Sequence, residues 1–243
     1  MKKYLLVVIV VLVLIVCLFG KKTENEIAVV EKTTAQNEVI EYEELIENTD
    51  LFEVGDIINL ENINYISSYA IPGKWKHTLL YLGTYEQFIS FFTPEDTYYS
   101  KIISHYLTKK EILVLDSNSS GVKIRTFDQM ANLKKDSYLK ALTGYRFKEN
   151  NDFIKIYLNH ALDYLERPYD YAMITDDESK LYCSELIYYA LQAVDIKITK
   201  TSNILDRKII TPSDLGSFLE ALTNVEHCYF LIKENNCVIN KLK

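Results

Sequence analysis

Between Leu51 and Phe147 the apolar residues gather in short runs of strand length, and after Asn150 they recur mostly at helical spacing. "VGDIINL" is a β-type run led by Gly55 and Asp56, and "WKHTLLYLG" is a second, ended by Gly83. "EILVLDS" (111–117) and "VKIRTF" (122–127) flank "NSSG", whose polar, glycine-containing composition suits a hairpin turn. "SYLKALTGYRF" (137–147) reads as another strand, although Leu, Lys and Ala weaken the pattern. "DFIKIYLNHALDYLERP" then carries apolar residues at helical spacing and ends against Pro168. "CSELIYYAL" predicts a second helix, "TPSDLGSFL" a capped helix start, and "HCYFLIK" a last strand. Strands followed by helices predict an α+β domain in which one antiparallel sheet packs against helices.

Ahead of this domain the pattern changes twice. "MKKYLLVVIVVLVLIVCLFGKK" sets two lysines before an unbroken apolar run from Tyr4 to Phe19. That run is short for a membrane-spanning helix of about 20 residues and long for a signal-peptide core of roughly 7–15. Residues 1–22 therefore read as an export signal that is either removed or kept as a membrane anchor. Cys17 ends the run in "LIVC", which resembles a bacterial lipobox, with Leu14 three before the cysteine and Val16 where Gly, Ala or Ser is usual. Lipidation of Cys17 and an uncleaved anchor that merely buries it are the two readings. Both put the rest of the chain in the cell envelope, outside the cytoplasmic membrane and tethered to it. Residues 23–50 are acid-heavy, with Lys32 as the one basic residue, and lack Gly and Pro. They read as a charged linker, the alternative being a solvated surface helix of the domain itself. The globular domain is then 51–243.

The chain has 243 residues, of which 25% are charged, with a net charge of -7. That length suits one domain plus an appendage. An acidic balance without a basic run speaks against a nucleic-acid partner, because nothing neutralises phosphates. No Gly-rich phosphate loop, HExxH or CxxC is present, so kinase and metallohydrolase readings lack support and neither metal nor cofactor is expected. Cys228 and Cys237 are close enough in sequence for a hairpin disulfide.

Cys183 is placed differently. Ile187, Ala190, Leu191 and Val194 follow it at i+4, i+7, i+8 and i+11, so they share its helix face. A cysteine there is either a small core residue or a thiol activated by the free N–H groups and positive dipole end of the first helical turn. As a nucleophile it needs a base and a group to orient that base. Of the four histidines, His105 lies in the polar "SHYL", His160 lies mid-helix, and His227 precedes Cys228. His77 opens a strand after a Gly-containing loop, where a rigid sheet presents a side chain either to a site or to packing.

In order, "GDIINL", "KHTLLYLG", "ILVLDSNSSGVKIRTF", "RPYDYAM", "LYCSELIYYAL" and "ITPSDL" resemble the motifs of the permuted papain-like amidases, the YaeF/YiiX family. These are relatives of the NlpC-type cell-wall peptidases in which the cysteine helix comes last instead of first. The resemblance runs from about Val54 to Leu215 and implies a circularly permuted papain-like (NlpC-like) fold. It implies Cys183 as nucleophile, His77 as base and Asp116 as the third polar residue. The family often has a Glu-Ala pair where this chain reads Asp116-Ser117; an aspartate before "SNSSG" is also an ordinary turn cap. Tyr169 and Asp170 match the family's Tyr-Asp pair, which lines the cleft or simply forms a turn after Pro168. Glu185 either contacts substrate or caps the helix start. The activity implied is hydrolysis of an amide or ester acyl bond in a cell-wall peptide or a lipid. An acyltransferase shares every one of these residues, and a non-catalytic surface lipoprotein using the fold as a binding module is the other alternative.

Overall fold

The computed structural model describes residues 38–63, 71–173, 178–204 and 207–242. The segment 1–22, with Cys17, lies outside the described residues, as does the linker up to residue 37. No helix among the described residues is long and apolar enough to cross a membrane.

Each strand-length run forms a strand of one antiparallel sheet. These are β1 (Ile57–Ile63), β2 (His77–Gly83), β3 (Leu113–Asn118), β4 (Gly121–Thr126) and β5 (Tyr138–Phe147). After a separate ribbon of β6 (Ser202–Ile204) and β7 (Arg207–Ile209) come β8 (Val225–Glu234) and β9 (Cys237–Asn240). The sheet has seven strands in the order β4-β3-β2-β1-β5-β8-β9. Successive side chains of a strand point to opposite faces, and here both faces are buried. Ile57, Leu80 and Leu115 pack under the helices, while Ile58, Leu79 and Val114 enter a second core on the other side.

The helix-bearing face carries α2 (Tyr85–Phe91), α3 (Tyr99–Ile103), α4 (Asn151–Leu162), α5 (Cys183–Gln192) and α6 (Pro212–Leu219). Their ends follow capping chemistry. The Asn150 side chain accepts the Phe153 N–H at 2.9 Å, and Thr211 accepts the Asp214 N–H at 3.0 Å ahead of Pro212. At the head of β1, Asp56 takes a two-pronged contact from Arg146, Nε to Oδ1 at 2.7 Å and Nη2 to Oδ2 at 2.8 Å. Gly55 beside it has φ +97°, and a Cβ there would meet Ile154 Cγ2 at 2.3 Å. The Gly-Asp pair therefore seats α4 against the sheet.

The second face corrects the expected linker. From Val39 onward the segment is part of the domain, not a stalk. Val39, Ile40, Leu45 and Phe52 are all essentially unexposed, and the Ile40 N–H donates to the Leu139 carbonyl at 2.7 Å. The acids that suggested a solvated stretch are used locally. Glu44 caps α1 (Tyr42–Ile46) by accepting the Glu41 N–H at 2.9 Å, and its carboxylate also pairs with Lys233 at 2.9 Å.

The hairpin disulfide does not form, and Cys228 and Cys237 are free thiols. The β8–β9 register sets Cys237 opposite Glu234, six residues along the strand from Cys228. That separation is about 20 Å at a strand's rise, against the roughly 6 Å between Cα atoms that a disulfide spans.

Candidate active site

Three elements fix the chain just before Cys183. Leu181 donates its N–H to the Pro168 carbonyl at 3.0 Å, while its own carbonyl accepts the Ser117 hydroxyl. The Tyr182 hydroxyl accepts the Ile210 N–H at 3.1 Å, and the Tyr182 N–H donates to the Glu185 carboxylate at 3.2 Å. The first turn of α5 is thereby held against the ends of β2 and β3. Cys183 sits in that turn with 3% of its surface exposed.

His77 opens β2 and donates its Nε2–H to Asp116 Oδ2 at 2.9 Å, which leaves Nδ1 as the ring nitrogen for the thiol. Its side chain is 19% exposed, whereas Asp116 is completely covered. The Cys183 sulfur is within hydrogen-bonding reach of the imidazole and also receives the backbone N–H of Thr78. The Ser184 hydroxyl stands 3.8 Å from the sulfur.

The electrostatics of the pair reinforce one another. Burial alone pushes His77 down, but the Cys183 thiolate and then the Asp116 hydrogen bond overcome it and raise the imidazole to about 10. Burial pushes the Cys183 thiol up, but the His77 charge and hydrogen bond, with the Thr78 N–H, bring it below its ordinary value. A base displaced upward beside a thiol displaced downward is a thiolate–imidazolium pair.

Asp116 and Ser117 explain how this chain fills the Glu-Ala position. Adjacent at the end of β3, they point to opposite faces. Asp116 shares the face of Val114 and meets His77; Ser117 shares the face of Leu115 and ties down Leu181. The capping of the β3–β4 turn falls instead to Asn118, whose Oδ1 accepts the Ser120 N–H at 2.9 Å. Sequence reasoning missed Arg125, whose Nη1 lies 3.1 Å from Asp116 Oδ1. The signal was present in the predicted hairpin: once Asn118 pairs with Gly121, Arg125 lies on the same face as Asp116, two residues beyond Asp116's partner Lys123.

Tyr169 is half-buried, with its ring 5.0 Å from that of Tyr171. Burial and then the Cys183 charge push its hydroxyl upward, so it stays a hydrogen-bond donor. Asp170 forms the turn, its Oδ1 accepting the Ala172 N–H at 2.8 Å. Glu185 caps the helix start, and its side chain is fully buried there. The other histidines lie elsewhere: His160 faces Asp163 at 3.6 Å, His227 faces Glu220 at 3.9 Å, and His105 neighbours Lys101. A cavity lined by Glu53, Val54, Phe91, Arg146, Phe147 and Ile154 lies apart from this site and includes none of its residues. Among the described residues no group of three His, Cys, Asp or Glu is arranged to hold a metal ion.

An antiparallel sheet that presents a histidine to the head of a cysteine helix lying late in the chain is the architecture of a permuted papain-like amidase. The model of that family, the permuted papain-like amidase enzymes YaeF/YiiX, matches residues 51–236, and the chain belongs to it. Among solved structures the chain is similar to yiiX from Escherichia coli O157:H7, which is described as a metalloprotein. The identity is 14% and the TM-score 0.47, covering 75% of this chain and 97% of that one. Comparison with curated proteins finds no match.

Proposed function

We propose that the protein is a cysteine hydrolase that cleaves an amide or ester acyl bond, with Cys183 as nucleophile, His77 as acid and base, and Asp116 as the group that orients His77. What supports this reading is the unbroken contact from thiol to imidazole to buried carboxylate. The Cys183 thiolate attacks the acyl carbon, and the resulting oxyanion is met by N–H groups of the first turn of α5, Cys183's own among them. His77, protonated, gives its proton to the departing amine or alcohol as the carbon–heteroatom bond breaks, leaving a thioester. Water then adds to the thioester while neutral His77 takes its proton. Collapse releases the carboxylic acid and restores thiolate and imidazolium. Tyr169 lines the cleft as a donor. Residues 1–22 export the protein and tether it to the cytoplasmic membrane, so its substrate is a cell-wall peptide or a lipid of the envelope.

The test is labelling with electrophilic peptide and lipid acyl probes, followed by mass spectrometry of the modified peptide. Labelling is expected at Cys183, to be absent in Cys183→Ala and strongly reduced in His77→Ala. The preferred probe identifies the bond. A folded protein that no acyl probe labels at Cys183 rules the hydrolase out.

A further inference from the structure

Arg125 lies on β4 opposite Val114 and is 5% exposed. Burying a guanidinium is costly unless its charge is met and its N–H groups find acceptors. The charge is met by Asp116, and the acceptors are those of Nη2; Nη1 and Asp116 Oδ1 are an ion pair without a hydrogen bond between them. Nη1 faces Asp116 Oδ1 at 3.1 Å, while Nη2 donates to Asn118 Oδ1 at 2.6 Å, Ser120 Oγ at 2.6 Å and the Gly121 carbonyl at 2.9 Å. The turn is itself rigid, because Asn118 Oδ1 also accepts the Ser120 N–H and hydroxyl, each at 2.9 Å. Gly121 has φ +85°, and a Cβ there would lie 2.4 Å from the Arg167 carbonyl oxygen. The turn thus fixes the guanidinium, which sets its charge 3.1 Å from the second oxygen of the carboxylate whose first oxygen meets His77.

An apolar pair across the hairpin would serve the fold at least as well as a buried ion pair, so the location beside His77 is the informative fact. Thiolate, imidazolium, carboxylate and guanidinium form one line of alternating charges that sums to zero. We propose, resting on the reading of Cys183 and His77 given above, that Arg125 is a positioning residue of the site: it locks Asp116 in line with His77 and supplies the charge that makes the buried line neutral. Without it the line carries a net negative charge and holds its protons more tightly.

The experiment measures the rate of Cys183 alkylation by iodoacetamide against pH in folded protein, with thermal melting alongside. Arg125→Met is expected to move the alkylation midpoint upward by about one unit, roughly a tenfold loss of reactive thiolate at a given pH below it. Arg125→Lys, which keeps the charge, restores most of the shift. Should Arg125→Met fail to fold, the Asn118→Ala/Ser120→Ala double variant frees Nη2 from two of its three acceptors and is expected to shift the midpoint in the same direction by less. A melting loss with an unchanged midpoint, in Arg125→Met or in that double variant, makes Arg125 a device of the fold alone and overturns the proposal. A wild-type midpoint at the free-thiol value of about 8.5 overturns instead the reading of Cys183 on which the proposal rests.

Discussion

Asp116→Asn keeps the size of the side chain and an oxygen that accepts hydrogen bonds, but removes a charge lodged between two cations. His77 Nε2 is 2.9 Å from one carboxylate oxygen and Arg125 Nη1 is 3.1 Å from the other. At an effective dielectric near 20, a unit charge at such a distance interacts by about 6 kcal/mol with the imidazolium. The amide dipole and relaxation of the surroundings recover about half of that, leaving a loss of about 3 kcal/mol. The imidazolium of the resting pair is destabilised by that amount relative to neutral imidazole and thiol, so turnover falls about a hundredfold. Removing an anion also lowers both proton-loss steps of the pair. The active window therefore moves to lower pH, opposite in sign to Arg125→Met.

The same substitution leaves the Arg125 guanidinium buried without its counter-charge, which costs about 3 kcal/mol of stability, or a melting decrease of about 6–12 °C. Steady-state hydrolysis of the best acyl probe, measured well below the variant's melting temperature, separates the two losses. Asp116→Asn/Arg125→Met is expected to recover stability and not turnover. Unchanged turnover in folded Asp116→Asn removes Asp116 from the site. Turnover regained in the double variant shows instead that the deficit was one of folding.

Iodoacetamide at neutral pH is expected to modify Cys183 well before Cys228, whose thiol burial pushes up to about 12. The acid limb of hydrolysis is expected to have its midpoint below the ordinary thiol value of about 8.5, and the alkaline limb to have its midpoint well above the ordinary imidazole value, near the raised His77 value of about 10, because the ion pair exists only between a lowered thiol and a raised imidazole. An acid limb at 8.5 or higher contradicts the pair. Leu45→Ala is expected to destabilise the domain by about 2–5 kcal/mol in denaturant unfolding, since the side chain is completely buried; a change near zero restores the picture of a detached stalk. The full-length protein is expected to partition with membranes and to become soluble when residues 1–22 are deleted, with fatty-acid labelling lost in Cys17→Ser if that cysteine carries the anchor. Full-length protein found only in the soluble fraction contradicts both anchoring readings.

Legibility followed how locally each feature is encoded. "HTLLYLG" and "ILVLDS" announce strands because β-branched, aromatic and leucine side chains fill both faces over four or five positions, and Thr211 before Pro212 announces a helix within four residues. The helices α2 and α3 were silent because each is a turn or two long and buries a single residue completely, Phe88 and Ile102 respectively, too few for a period. The Thr84–Gln87 capping box that begins α2 was in the sequence all the same. The Val39–Asp50 segment reads as a linker because its five acids match its five apolar residues in number, and composition does not report that Glu41 and Glu44 spend their oxygens on backbone N–H groups and a lysine. In the site, the roles of Cys183, His77 and Asp116 came from ordered motifs, not from any distance that a sequence contains. Arg125 shows the limit most clearly. Its partner is set by strand register, and a slip of one residue in the β3–β4 hairpin would turn it to the face of Ile124 and Leu115, away from Asp116. What holds the register is Gly121, which alone fits against Arg167. The residue that places the arginine is thus a glycine that touches neither the thiol nor the imidazole.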